Sequence, residues 1–190
     1  MLSLFKKSGY LAAAMLFIST TVMAAPIWVI VPADSKINFT AIQNGAPVIG
    51  EFKSFSGDIA FDPTDLGDSV INIKINMASV SAAYNQVADT LKTPDWFDAA
   101  AFPQAIFKAN HFTKISDKKY TAVGTLTIRE KTAPVTVTFT LEKYTDTDAL
   151  VKGAATLRRT ALGVGRGEWA KTDAIKDDVM IDFVVSAKRK

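Results

Sequence analysis

The chain has 190 residues, 48% of them hydrophobic, a formal net charge of +3, one histidine and no cysteine. Without cysteine there is no disulfide framework, thiol nucleophile or cysteine-based zinc site, so the fold is held by its core alone. The basic residues are dispersed apart from the terminal Lys188-Arg189-Lys190, and no aromatic-interleaved basic stripe signals a nucleic-acid partner.

The first 24 residues read as an address. Lys6 and Lys7 form a positive region, residues 10–18 an apolar run, and Val22-Met23-Ala24 ends in the small residue of a signal-peptidase site. The run is too short to span a bilayer as a helix. The expected products are a signal peptide over residues 1–24, cut after Ala24, and one exported domain over residues 25–190 in a bacterial periplasm.

In that domain apolar and polar side chains alternate, which gives each segment one dry and one wet face. Residues 27–31 form a short strand closed by Pro32, and residues 36–42 place Ile37, Phe39 and Ala41 inward. Residues 44–47 are a turn by composition. Residues 48–61 change parity midway: Val48, Gly50 and Phe52 share one face, and Phe55, Gly57, Ile59 and Phe61 the other. One extra residue near Lys53 and Ser54 reconciles the halves, so a bulge is predicted there. A polar loop over residues 62–68 leads to a strand over 70–77. Residues 81–101 depart from the pattern. Tyr84, Val87, Ala88 and Leu91 recur at helical spacing until Pro94 interrupts, and Thr93 or Asp95 can cap a second short helix carrying Trp96, Phe97, Ala100 and Ala101. Strands resume over residues 104–112, 119–129, 134–144, 148–158 and 177–188, with a glycine-rich connection at 163–167. Roughly eight strands around one dry interior suggest a closed antiparallel barrel or a sandwich.

Catalytic motifs are weak. His111 reads as a surface strand residue near a loop. Asp62, Asp65 and Asp68 miss the spacing of a calcium loop and read as turn chemistry. The glycines at 163, 165 and 167 lack the lysine and helix of a phosphate cradle and read as a flexible β-connection. What remains is the interior. Phe39, Phe52, Phe55, Ile73, Ile75, Phe107, Leu126, Phe139 and Phe183 share inward parity with Gly124 and Gly153, and no charge lies among them. Two arrangements satisfy that pattern: small residues facing large ones in a filled barrel, or a hydrocarbon-lined pocket for an apolar molecule.

Several short motifs follow one another over residues 27–187. They are Trp28, Asp34-Ser35-Lys36-Ile37-Asn38-Phe39, Gly50-Glu51-Phe52-Lys53-Ser54-Phe55 and Asp89-Thr90-Leu91-Lys92. Then come Trp96-Phe97-Asp98, Phe102-Pro103-Gln104-Ala105-Ile106-Phe107 and Gly124-Thr125-Leu126-Thr127-Ile128. Arg159 with Gly163-Val164-Gly165, and Asp178-Val179-Met180-Ile181, complete the series. In this order they resemble the YceI-like family, exported lipocalin-like proteins associated with polyisoprenoid binding. The resemblance implies an all-β fold: an eight-stranded antiparallel lipocalin-like barrel with a short helical segment near residues 82–101 at one opening. It implies an apolar lipid tail held in the lumen by the inward residues just named, no catalysis, and no cofactor beyond a bound isoprenoid or quinone-like lipid. Gln86, Trp96, Arg158 and Arg159 are the candidates for its polar end, since a guanidinium offers two parallel donors to a phosphate or one to a carbonyl. Arg159 has a structural alternative, bonding loop carbonyls, and Trp96 another, stapling the helical segment to the barrel.

The chain departs from the family's usual pattern at Glu130, at Ala161-Leu162, and at residues 43–47, where many members carry a histidine. The last variant resembles a subgroup encoded beside b561-type cytochromes. That implies a quinone-like ligand and such a membrane cytochrome as partner, and leaves a homodimer open. The rival readings are a packed-barrel interaction or stress-related protein beside that cytochrome and, last, an enzyme on an isoprenoid substrate.

Overall fold

Interruptions in the alternating pattern mark the places where strands bend. The computed structural model describes residues 24–190, so the expected signal peptide, up to residue 23, lies outside the described residues. Eleven strands form one sheet, and six of them are halves of broken ribbons. β1 (Ile27–Ile30) continues into β2 (Lys36–Gln43) across a tight turn at Pro32–Asp34. β3 (Ala46–Phe52) continues into β4 (Phe55–Ala60), and β5 (Val70–Asn76) into β6 (Val80–Ala82) across Met77–Ser79. β7 (Gln104–Lys114), β8 (Lys119–Ile128), β9 (Lys131–Tyr144), β10 (Asp148–Arg158) and β11 (Asp178–Arg189) run through. Each ribbon pairs antiparallel with the next along the chain. β11 pairs back onto the first ribbon at both halves, through Ile30 with Ala187 and Phe39 with Ile181. The result is a closed, eight-stranded, up-and-down antiparallel barrel of the lipocalin-like kind, in which closure removes the exposed edges of the ring.

At the breaks, serines replace the lost ladder bonds. Pro32 has no N–H to give; beside it the Ser35 hydroxyl donates to the Val31 carbonyl (2.8 Å) and accepts from the Ser186 N–H (3.0 Å). At the second break the Lys53 N–H donates to the Ser79 carbonyl (3.2 Å) and the Ser54 N–H to the Ser79 hydroxyl (3.0 Å). The parity change predicted near Lys53 and Ser54 is therefore present as a short interruption of the ladder, and both Phe52 and Phe55 are buried. Facing positions pair large with small, as Phe39 with Gly50 and Phe183 with Gly153. A Cβ on Gly50 would stand 2.3 Å from the Phe39 ring, so the ring's close approach requires glycine there.

The helical excursion is shorter than expected. Ser81 and Ala82 belong to β6, paired with Glu51 and Gly50, and the one α-helix among the described residues, α1, covers Asn85–Lys92. Ala88 and Leu91 are buried and Val87 is half-buried, whereas Tyr84, grouped with them by spacing, is an N-cap residue 76% exposed. The second helix does not form. Residues 93–101 are successive turns, in which the Phe97 and Asp98 N–H groups return to the Leu91 and Thr93 carbonyls. Pro94 lacks a donor, and Asp98 sits at φ 49°, a left-handed conformation that no α-helix contains.

Candidate functional site

The strands close one end of the barrel with their own aromatic side chains. Phe61 meets Phe112, Tyr120 and Phe139 edge-on, with ring centroids 5.5, 5.5 and 5.7 Å away, and Trp28 packs 5.1 Å from Tyr144. Aromatic pairs at these distances are favourable beyond the area they bury. The Trp28 indole N–H donates to the Phe61 carbonyl (3.0 Å), so the plug leaves that polar atom satisfied. Burial raises the Tyr144 phenol above its ordinary pKa.

Above this plug lies an inner cavity of about 200 Å³, and none of the described residues on its wall carries a charged side chain. Phe52, Phe55, Ile73, Ile75, Phe107, Leu126, Phe139 and Phe183 all line it. Ile73, Ile75, Phe107 and Phe183 are only half-buried although they point inward, because they face this space. The interior is thus not filled by side chains alone, as a close-packed core would be.

An outer cavity of about 280 Å³ meets the inner one at Phe52, Ile128, Leu157 and Ile181. Phe39 and Val48 wall it from the barrel, and Gln86, Val87 and Thr90 from α1. Trp96 and Phe97 come from the turns after α1, and Leu162, Val164, Trp169 and Ile175 from the long β10–β11 connection. Trp96 and Trp169 lie 5.7 Å apart.

Two arginines hold these covering segments. Arg129, at the end of β8, donates from Nη1 to the Pro94 carbonyl and to the Trp96 carbonyl (3.0 Å). Its guanidinium is 3.6 Å from the Asp98 carboxylate and 5.5 Å above the Phe102 ring. Arg159 is 3% exposed. Its Nε donates to the Lys176 carbonyl (3.1 Å), Nη1 to Val164 (3.1 Å), and Nη2 to Lys171 (2.8 Å) and Ile175 (2.9 Å). Burial lowers its pKa, yet a guanidinium remains a cation. The β10–β11 connection is consequently a packed cover and not a slack loop: Leu162 and Val164 are buried, and Gly163, Gly165 and Gly167 take φ of 68°, 78° and 59°, which glycine alone adopts freely.

The proposed lumen residues divide accordingly. Phe39 stands in the outer chamber, Phe52 at the junction, and the other large ones in the inner chamber. Gly124 and Gly153 belong to neither wall. A Cβ on Gly124 would lie 2.0 Å from the Lys108 carbonyl oxygen, and one on Gly153 2.3 Å from the Phe183 ring. Equal parity put them inward, but strand backbone and a phenyl ring already occupy the space. Of the four mouth candidates, Gln86, Trp96 and Arg159 line the outer chamber, whereas Arg158 does not. The Arg158 side chain is 74% exposed and its Nε donates to Asp177 at 3.0 Å. Gln43, Thr90 and Trp169 on the outer wall, and the Arg129 clamp behind it, escaped the sequence reading; an aromatic residue beside the glycine-rich segment was the one available signal for Trp169. His111 is exposed, with its Nδ1 2.7 Å from the Asn110 side chain. Asp62 and Asp65 accept from the Thr64 and Gly67 N–H groups (2.8 and 3.1 Å), closing their own turns.

A closed antiparallel barrel around a blind apolar lumen defines a lipocalin-like architecture. Residues 28–187 match the YceI-like domain, and the chain belongs to that family. A UPF0312 protein of Vibrio parahaemolyticus is 32% identical over 109 residues, 55% of this chain and 56% of the relative; the chain thus spans little more than half the length of the curated relatives it matches. The crystal structure of BcnA from Burkholderia cenocepacia is 32% identical, with a TM-score of 0.78 over 83% of this chain and 98% of that one. A polyisoprenoid binding domain from Saccharophagus degradans shares the fold at 13% identity, with a TM-score of 0.68 over 86% of this chain and 98% of that one.

Proposed function

We propose that the chain is an exported, periplasmic, non-catalytic carrier or sink for a long apolar lipid, a polyisoprenoid in particular, whose tail lies in the inner chamber. The observation that carries this reading is a charge-free inner cavity, plugged at one end and joined at the other to a chamber with a few polar groups. Each methylene transferred from water to such a wall contributes about 0.8 kcal/mol, so a chain of isoprene units binds with no hydrogen bond at all. A hydrocarbon tube discriminates poorly between hydrocarbons, which places selectivity in tail length and in the outer chamber. The fold shared with a polyisoprenoid binding domain supports the reading. Among the described residues, Arg159 and Tyr144 are the only ionisable side chains on the two walls, a poor basis for acid–base catalysis.

The test is native mass spectrometry of the protein purified from its own periplasm, with organic extraction of what accompanies it. A discrete added mass that extracts as a prenyl lipid is the expected result. A bare polypeptide mass, under conditions that keep a known lipocalin loaded, overturns the reading in favour of an interaction protein.

A further inference from the structure

We infer that the unzipped seam between β9 and β10 is a side gate through which the apolar tail enters and leaves the inner chamber, latched at its top by Glu130 and Arg166. The inference rests on the lipid-carrier reading and concerns the route into the same cavity.

The ring is zipped to different heights around its circumference. On either side of the seam the ladders run up to the covered end, through Ile128 with Lys131 and Arg158 with Asp178. Between β9 and β10 the ladder stops at Thr138 opposite Ala154. Above that point, among the described residues, 131–137 pair with β8 alone and 155–158 with β11 alone. Proline accounts for the stop. The Thr138 carbonyl oxygen is turned toward β10, 2.7 Å from where a Cβ on Gly153 would stand. Alternate residues of a strand address the same neighbour, so position 134 also addresses β10, and Pro134 has no N–H to give it. Val137 on β9, and Ala155 and Leu157 on β10, flank the seam, are only half-buried and line the inner cavity. The unpaired edges therefore border the charge-free space directly.

The interruption between β6 and β7 is closed differently. At its foot the Met77 N–H donates to the Pro103 carbonyl (2.9 Å), Met77 is buried, and the segment joining the two strands is held by Arg129. Across the β9–β10 seam the tie is slight. The Arg166 guanidinium, on the β10–β11 connection, bonds the Glu130 carboxylate in the β8–β9 turn, and both side chains are exposed. An exposed ion pair contributes little, and parting the strands above Thr138 breaks no ladder bond. Entry through the cover instead displaces segments whose carbonyls are held by the Arg129 and Arg159 guanidiniums.

Thr136 and Thr156 are exposed, and the register of Thr138 with Ala154, continued upward, sets them opposite each other. The chain has no cysteine of its own. Delipidated mature protein carrying Thr136→Cys and Thr156→Cys is bridged across the seam by a disulfide, or by a short bismaleimide where the strands stand more than about 7 Å apart. The control, Lys152→Cys with Thr140→Cys, bridges the same two strands where they are already paired. Uptake of geranylgeraniol from neutral detergent is followed by tryptophan fluorescence. The seam bridge is expected to slow uptake about tenfold or more with the equilibrium affinity unchanged, and the control bridge to leave the rate as it was. An unchanged rate with the seam bridged, or equal slowing by the control, overturns the gate and leaves the carrier reading standing. Uptake by no form, the unbridged protein included, overturns both. Glu130→Ala removes the latch from an exposed turn and should speed uptake about threefold; an unchanged rate overturns the latch.

Discussion

The two ends of the barrel are closed by opposite means. At the plugged end the strands themselves supply Trp28, Tyr120, Phe139 and Tyr144, gathered with Phe61, and a single indole N–H finds a carbonyl. At the other end the cover consists of α1, a run of turns and the β10–β11 connection, tied down by guanidinium bonds to their carbonyls. Aromatic burial within the sheet makes closure part of the barrel's own cooperative core. A cover built from loops adds few ladder bonds and opens at lower free energy than the strands do. The difference in construction predicts that damage to the two ends has different consequences.

The largest effect is expected at the plug. Phe61→Ala removes the ring that three other aromatics meet edge-on and should cost about 3–5 kcal/mol in urea unfolding. A cost below about 1 kcal/mol would mean that the end is not part of the core. Arg159→Met tests the covered end. It strands four carbonyls in the interior and should cost about 3 kcal/mol, with lipid lost only as the cover loosens. Full stability with weakened lipid binding would make the guanidinium a ligand group and not a clamp.

The sequence revealed these two ends unequally. Alternation along Ile71, Ile73 and Ile75, or Val135, Val137 and Phe139, is enough to trace the ribbons and their inward faces, because strand geometry converts parity directly into side-chain direction. Proline at 32 and the parity change at Lys53 and Ser54 locate two of the bends. The register shifts beside Asn110 and Glu142 are not marked in this way. The outer chamber is harder still, because Leu162, Val164, Trp169 and Ile175 come from a connection with no periodicity to read. For Arg159 the sequence offered two roles, a head-group contact or a clamp on loop carbonyls, and only the structure shows four carbonyls around its guanidinium, since that number is a fact of three dimensions. Gly124 shows the same limit: parity gives its direction, and only distance shows that the Lys108 carbonyl oxygen already fills the site.

That correction supplies a smaller and cleaner test of the lumen. Ala155 faces the inner cavity directly. Ala155→Phe places a ring in that space at an expected cost of about 1 kcal/mol, and lipid stoichiometry should fall while the far-ultraviolet spectrum and the cooperative unfolding remain. Gly124→Phe, by contrast, should prevent the β7–β8 ladder from forming. If Ala155→Phe retains a full complement of lipid, the tail does not lie in the inner chamber.

The smallest expected effect concerns acid. Asp177 ends the covering connection, directly before β11, and bonds back to the connection's start at Arg158 and Thr160. Burial alone would raise its pKa, but hydrogen bonds from the Thr160 N–H and hydroxyl (3.0 and 2.8 Å) and from Arg158 (3.0 Å) outweigh it and leave the net pKa lowered. A carboxylate held below its unfolded value, near 3.9, stabilises the fold fully above that pH and loses the contribution as pH falls through its folded value. Asp177→Asn should therefore be less stable than the parent by roughly 1 kcal/mol at neutral pH, with the gap closing as the solution is acidified below the range of free aspartate. Because these bonds anchor only the covered end, lipid release on acidification should follow the same curve, while the near-ultraviolet signal of the aromatic plug should not. A plug signal that decays in step with release would mean that the two ends unfold as one unit, and the contrast between them would then describe their construction without separating their stabilities.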